Sequence, residues 1–101
     1  MATVKLHRLA RDELRWIVRD FERESWSKRA RFLASFQNAV DRIAFNPFSG
    51  SPVFKGYRWV RTARFKYFLY YGIHDSNTVE VFAVAHGSRR PGYWLRRTRR
   101  P

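Results

Sequence analysis

The chain has 101 residues, with 21 Lys+Arg against 8 Asp+Glu, a formal net charge of +13, and no cysteine. That length fits one domain, residues 1–101, and 45% hydrophobic residues suffice for a packed core rather than a disordered chain. The lack of cysteine excludes a disulfide framework, a cysteine zinc site and a thiol nucleophile, and fits a reducing compartment.

Thr3 to Leu6 alternates apolar and polar residues and predicts a short opening strand. Ala10 to Glu24 predicts a helix, with Leu14, Ile17, Val18 and Phe21 at helical spacing on one face. Arg11, Arg15, Arg19 and Arg23 recur every four residues on another face. That row reads as a phosphate-contacting stripe or as a solvated face. The nearby Asp12, Glu13, Asp20, Glu22 and Glu24 favour the second through three- and four-residue ion pairs.

Ser25 or Ser27 suits the cap of a second helix, in which Ala30, Leu33, Phe36, Val40 and Ile43 form the predicted apolar stripe. This helix ends near Phe45, because Pro47 pushes Asn46 out of the helical region. So short a connection predicts an antiparallel helical hairpin. Residues 46–56, with two prolines and two glycines, predict a long loop. Tyr57 to Thr62, Arg64 to Ile73 and Thr78 to Ala85 predict three strands, the last two joined by the turn Asp75-Ser76-Asn77. The expected fold is α+β: a helical hairpin on one face of a small antiparallel sheet, in the order β-α-α-β-β-β. A basic tail follows, with six arginines in residues 89–101, and Tyr93 to Arg99 is compatible with a short helix or an extended segment.

The charge is uneven. Residues 1–45 carry 10 basic and 6 acidic residues, whereas residues 46–101 carry 11 and 2. This surplus points to a polyanionic partner: nucleic acid, an anionic membrane or an acidic protein. The longest apolar run, Tyr67 to Ile73 with Gly72 inside it, is of strand length, and no secretory signal is visible. The expectation is a soluble cytoplasmic protein without a membrane span.

The ordered set of segments resembles the toxins of the RelE/ParE superfamily of bacterial type II toxin–antitoxin systems. The resemblance runs from the helical hairpin through Asn46-Pro47-Phe48-Ser49-Gly50-Ser51-Pro52, Gly56-Tyr57-Arg58, Arg64-Phe65-Lys66-Tyr67 and Tyr70-Tyr71. It ends with residues 83–91 (Ala-Val-Ala-His-Gly-Ser-Arg-Arg-Pro), Tyr93-Trp94 and the basic tail. It implies growth inhibition until an acidic antitoxin covers the toxin in a hetero-oligomer. Within the superfamily, ParE-like members poison DNA gyrase and RelE-like members cut messenger RNA on the ribosome. The loop and the His86-x-x-Arg89 segment look closer to the ParE-like side.

RNA cleavage of the RelE kind needs a base for the ribose 2′-hydroxyl, an acid for the leaving oxygen and cations for the phosphorane. The resemblance offers Arg64 as the phosphate-holding arginine, Lys55 as a catalytic lysine, and Arg89 or Arg90 as the arginine beyond the last strand. Tyr93 or Trp94 falls near the position of a stacking or proton-handling tyrosine. Tyr57 stands at a second basic position, and no glutamate lies in the loop or early sheet, so His86 would serve as base or acid. His7, His74 and His86 are scattered, so no metal or other cofactor is expected.

If nothing is hydrolysed, Arg61, Arg64, Arg89, Arg90, Tyr93, Trp94, Arg96 and Arg97 form the expected surface for the target or a nucleic acid. Tyr57, Trp59, Phe65, Tyr67 and Phe82 fit a core, with Trp59 and Phe68 the residues to find on any sheet face left bare by the helices. Trp94 suits base stacking, an interface anchor or docking of the tail. A plain basic nucleic-acid-binding module remains the third reading.

Overall fold

The computed structural model describes residues 1–98; the end of the Arg-rich tail, residues 99–101, lies outside the described residues. Strand β1 (Thr3–Leu6) leads into helix α1 (Arg8–Glu24), which starts where His7 Nδ1 accepts the Leu9 amide at 3.1 Å. Helix α2 (Trp26–Phe45) follows after Ser25 alone. Ser25 serves both ends: its amide donates to the Phe21 carbonyl, closing α1, and its hydroxyl accepts the Lys28 amide at 3.0 Å, opening α2.

The two helices pack through Phe21 and Phe32, whose rings lie 5.0 Å apart. The buried stripe of α2 is Phe32, Phe36, Ala39 and Ile43, and Ala30 is exposed. This corrects the stripe expected from Ala30 and Leu33. Phe32 lies edge-on to Phe65 and Tyr67 of the sheet side, both at 5.4 Å. An aromatic core contact of that size outweighs an alanine in setting which helix face turns inward.

The sheet has five strands: β1, β2 (Ser51–Pro52), β3 (Arg58–Arg61), β4 (Tyr67–Asp75) and β5 (Thr78–His86), in the order β1-β5-β4-β3-β2. β1 lies parallel to β5, with Leu6 opposite Val81, and the other pairs are antiparallel. The sheet is therefore mixed, a correction to the antiparallel expectation. The chain crosses from β1 to the far strands through the helical hairpin, which permits the parallel pairing.

The expected long loop contains short structure. Asn46 Oδ1 accepts the Phe48 amide to start a 3₁₀ turn over Pro47–Ser49, and the buried Tyr71 hydroxyl accepts from the Gly50 amide and donates to the Pro47 carbonyl. Arg58 holds the same loop by donating to the carbonyls of Gly50 and Phe48.

One face of the sheet joins the helices through Val60, Leu69, Tyr71, Val79, Val81 and Val84. A bulge in β5 alters the other face. Tyr70 pairs with Ala83 and Tyr71 with Val81, so Phe82 is the extra residue, and Phe82 and Ala83 both join the second face. That face is not left bare: the tail crosses it and buries Trp94 against Tyr57, Tyr70 and Phe82. Trp59 and Phe68 stack at 4.7 Å, half-buried, on the same face. Among the described residues no helix is long and apolar enough to cross a membrane.

Candidate functional site

β1 covers β5 only as far as Val81, whose carbonyl accepts the His7 amide at 2.9 Å. Beyond that point the β5 edge has no strand beside it among the described residues, and two side chains take its place. Glu13 Oε1 accepts the Val84 amide at 3.1 Å, and Arg97 Nη1 donates to the Phe82 carbonyl at 2.9 Å. The same two residues form a two-pronged ion pair, Nη1 to Oε1 at 2.8 Å and Nη2 to Oε2 at 3.1 Å. The Tyr93 hydroxyl donates to Glu13 Oε2 at 2.6 Å, and Arg89 approaches that oxygen at 3.8 Å while lying 3.8 Å above the Tyr93 ring. One carboxylate thus gathers three tail residues and the strand edge. Burial, then the bond to the Glu13 carboxylate, push the Tyr93 phenol well above its ordinary pKa.

This arrangement changes the standing of several expected surface residues. Trp94 is fully buried, so its ring docks the tail and offers no free face for a base. Tyr93 and Arg97 have their polar groups on Glu13. Arg89, Arg90 and Arg96 stay exposed.

The turn between β3 and β4 carries Arg64. The turn is closed by the Thr62 amide donating to the Tyr67 carbonyl at 2.9 Å and by the Thr62 hydroxyl donating to Phe65 and Tyr67. Arg64 sits at φ 68°, a left-handed conformation that costs an arginine about 1–2 kcal/mol. The Gly87 amide donates to the Lys66 carbonyl, and Tyr67 pairs with His86, so this turn and His86 lie at the same end of the sheet.

His86 is exposed, with its ring edge-on to Tyr67 at 5.4 Å. Its Nδ1 lies 2.8 Å from the Ser88 hydroxyl and 3.1 Å from the Ser88 amide, so Ser88 engages that nitrogen. Lys55, also exposed and left-handed at φ 51°, lies in the turn before β3, whereas Arg64 follows β3. The four residues of that strand alone span about 13 Å. Lys55 therefore stands apart from the end of the sheet that brings Arg64 and His86 together. Arg61, at the close of β3, is exposed beside the Arg64 turn.

Glu13 is the residue that sequence reasoning missed. It sits among four other acids of α1, and what sets it apart, its burial against Arg97, comes only with the fold. Among the described residues no three His, Asp or Glu side chains cluster as a metal site requires.

A groove of about 540 Å³ runs between α1 and this open edge of β5, lined by Leu9, Trp16, Ile17, Tyr67, His86 and Arg89 among others. Trp16 is 66% exposed there.

Residues 4–91 match the family model described as the ParE toxin of the type II toxin–antitoxin system parDE. The match spans the hairpin and the sheet and ends before Gly92, ahead of the segment that holds Trp94. A search of curated proteins finds no significant match.

Proposed function

Because the chain belongs to the ParE family of type II toxins, we propose that it arrests growth by binding and inhibiting DNA gyrase in the cytoplasm, without hydrolysing a substrate. The observation that carries this reading is that two groups RNA cleavage would draw on, Lys55 and Tyr93, are not free beside Arg64 and His86. Lys55 lies beyond the far end of β3 from Arg64, and Tyr93 is held by Glu13. A base, an acid and a phosphate clamp within hydrogen-bond reach of one ribose are the requirement of in-line RNA cleavage. Arg64, His86, Arg89 and Arg90 serve instead as a docking surface.

The antitoxin of this reading is acidic and forms a hetero-oligomer with the toxin. Its apolar side chains lie against Trp16 in the groove beside β5, and its carboxylates lie on Arg89 and Arg90.

The test is induction in a host lacking the antitoxin, with growth, messenger RNA ends and plasmid topology read from one culture. Arrest with intact messages and gyrase-linked DNA breaks or lost supercoiling is the expected result. New cuts in translated messages with unchanged supercoiling would replace it by ribosome-dependent RNA cleavage. Arg64→Ala combined with Arg89→Ala and Arg90→Ala abolishes the arrest if the docking surface is assigned correctly. A folded, expressed triple variant that still arrests growth refutes that assignment.

A further inference from the structure

Helix α2 carries a polar stripe beside its buried apolar one. Lys28, Arg31, Ser35, Asn38 and Arg42 alternate steps of three and four, so they share one face. That face looks onto the β3–β4 turn. Two adjoining clefts, of about 590 and 750 Å³, lie between them and share Asn38, Ala63 and Arg64. Lys28 and Arg31 line the first, and Arg42 and Arg61 line the second.

The turn is fastened to the helix on both sides of the shared wall. The Ser35 hydroxyl donates to the Ala63 carbonyl at 2.7 Å, and Arg42 donates to the Arg61 carbonyl. Arg64, in its left-handed conformation, is thereby fixed between the two clefts.

Five cations line this furrow against one acid, Asp41, which accepts from Gln37 at 2.9 Å. Lys28 is paired with Glu24 at 2.6 Å. Arg31, Arg61 and Arg64 have no ion-pair partner among the described residues.

We propose that the furrow between α2 and the β3–β4 turn is a binding site for the phosphate backbone of duplex DNA. The stripe from Lys28 to Arg42 extends about 21 Å along the helix. That length matches roughly six base-pair steps of a duplex. The aromatic residues of the furrow, Phe21 and Phe65, face each other edge-on at 5.1 Å and pack with Phe32. No free ring is offered for stacking an unpaired base, which disfavours single strands. An acidic protein partner would find no aromatic anchor standing free here, because Phe21 and Phe65 are packed on each other and on Phe32. Contacts from guanidinium groups to backbone phosphates alone give binding that is insensitive to sequence and steep in salt. The proposal shares Arg64 with the surface assigned to gyrase, but it does not require gyrase to be the toxin's target.

The experiment is fluorescence anisotropy of the full chain with labelled duplexes of two unrelated sequences, titrated over a range of KCl. Arg31→Gln with Arg64→Gln is compared with Arg15→Gln and Arg19→Gln, a pair on the outer face of α1 that removes the same charge. The furrow pair is expected to weaken binding roughly 10- to 100-fold near 0.1 M salt and to reduce the salt slope by about 2. The α1 pair leaves the slope within the scatter of wild type. Circular dichroism melts establish that both variants are folded, and Arg31→Lys with Arg64→Lys, which keeps the charge, retains most of the slope. Equal losses in the two glutamine pairs mean that net charge alone binds DNA and overturn the proposal. Tighter binding to a single strand, or duplex binding unaffected while capture of a protein target is lost, also overturns it.

Discussion

Glu13 Oε1 lies 2.8 Å from Arg97 Nη1, joining the second turn of α1 to a tail residue 84 positions later. Both side chains are largely buried, and each also binds the open edge of β5. Removing the carboxylate leaves the Arg97 guanidinium with the Phe82 carbonyl but no counter-charge from Glu13, and the Val84 amide and Tyr93 hydroxyl without their acceptor. Glu13→Ala is therefore expected to cost about 3–5 kcal/mol. Glu13→Gln retains an acceptor for Val84 and is expected to cost less. Urea midpoints rank the two, and hydrogen exchange should rise first in residues 92–98. A loss shared evenly by the helices and the tail would mean that Glu13 supports the whole fold rather than the tail.

Burial of Tyr93 beside the same carboxylate is expected to make the protein sensitive to alkali. Burial, then the hydrogen bond to Glu13 and its charge, raise the Tyr93 pKa. Tyr67, Tyr70 and Tyr71 are raised as well, each chiefly by burial. A phenol whose folded pKa lies above its unfolded value contributes fully below the unfolded value, about 10, and that contribution is lost as pH rises toward the folded value. Unfolding free energy should hold to about pH 9 and fall above about pH 10. Tyr93→Phe should start lower at neutral pH, having lost a bond to a charged acceptor, and decline less steeply above pH 10. Urea midpoints across that range check both points, and an unchanged slope removes Tyr93 as a contributor.

The strands and helices were legible because their signals are local. Leu69 and Tyr71 alternate with Phe68 and Tyr70, and Ser25 caps α2 as its type suggests. Arg64, expected to open a strand running to Ile73, lies instead in the turn before β4, because Thr62 closes that turn onto Tyr67. What the sequence hid depends on distant partners. Nothing around Glu13 distinguishes it from Asp12 or Glu22 until Arg97 folds back onto it. The docked tail follows from that pair and from the bulge at Phe82, which turns a large ring toward Trp94. The expected α2 stripe holds at Phe36, Val40 and Ile43 but fails at Ala30, because apolar residues occupy more than one face and only the sheet decides between Ala30 and Phe32.

Gly72 makes the second face flat enough for the tail. A Cβ there would meet the Tyr57 ring at 2.8 Å and Phe82 at 3.2 Å. Tyr57 in turn abuts Trp94 edge-on at 5.4 Å. Gly72→Ala is expected to destabilise by about 1–3 kcal/mol through this displacement. Thermal unfolding should show it, and the companion Tyr57→Ala should make Gly72→Ala nearly neutral by removing the clash. Additive losses in the double variant would mean that the strand backbone, not the ring, resents the methyl group.

Trp94 gives a sharper test of what holds the tail. Its ring stacks on Tyr70 at 5.2 Å, yet its indole Nε1 is buried with no acceptor among the described residues. A buried donor without a partner costs about 1–3 kcal/mol. Trp94→Phe removes that donor while keeping an aromatic ring over Tyr70, so the two effects oppose each other. Trp94→Ala removes the ring and should cost about 3–5 kcal/mol. The phenylalanine variant should lie much nearer to wild type in denaturant midpoint. It should also keep the tail docked, with Arg89 and Arg90 in place and growth arrest intact, whereas the alanine variant should lose both protection of residues 92–98 and arrest. A phenylalanine variant as unstable as the alanine one would show that the indole N–H finds an acceptor in solution. Arrest that survives in the alanine variant would separate the docked tail from the toxic surface.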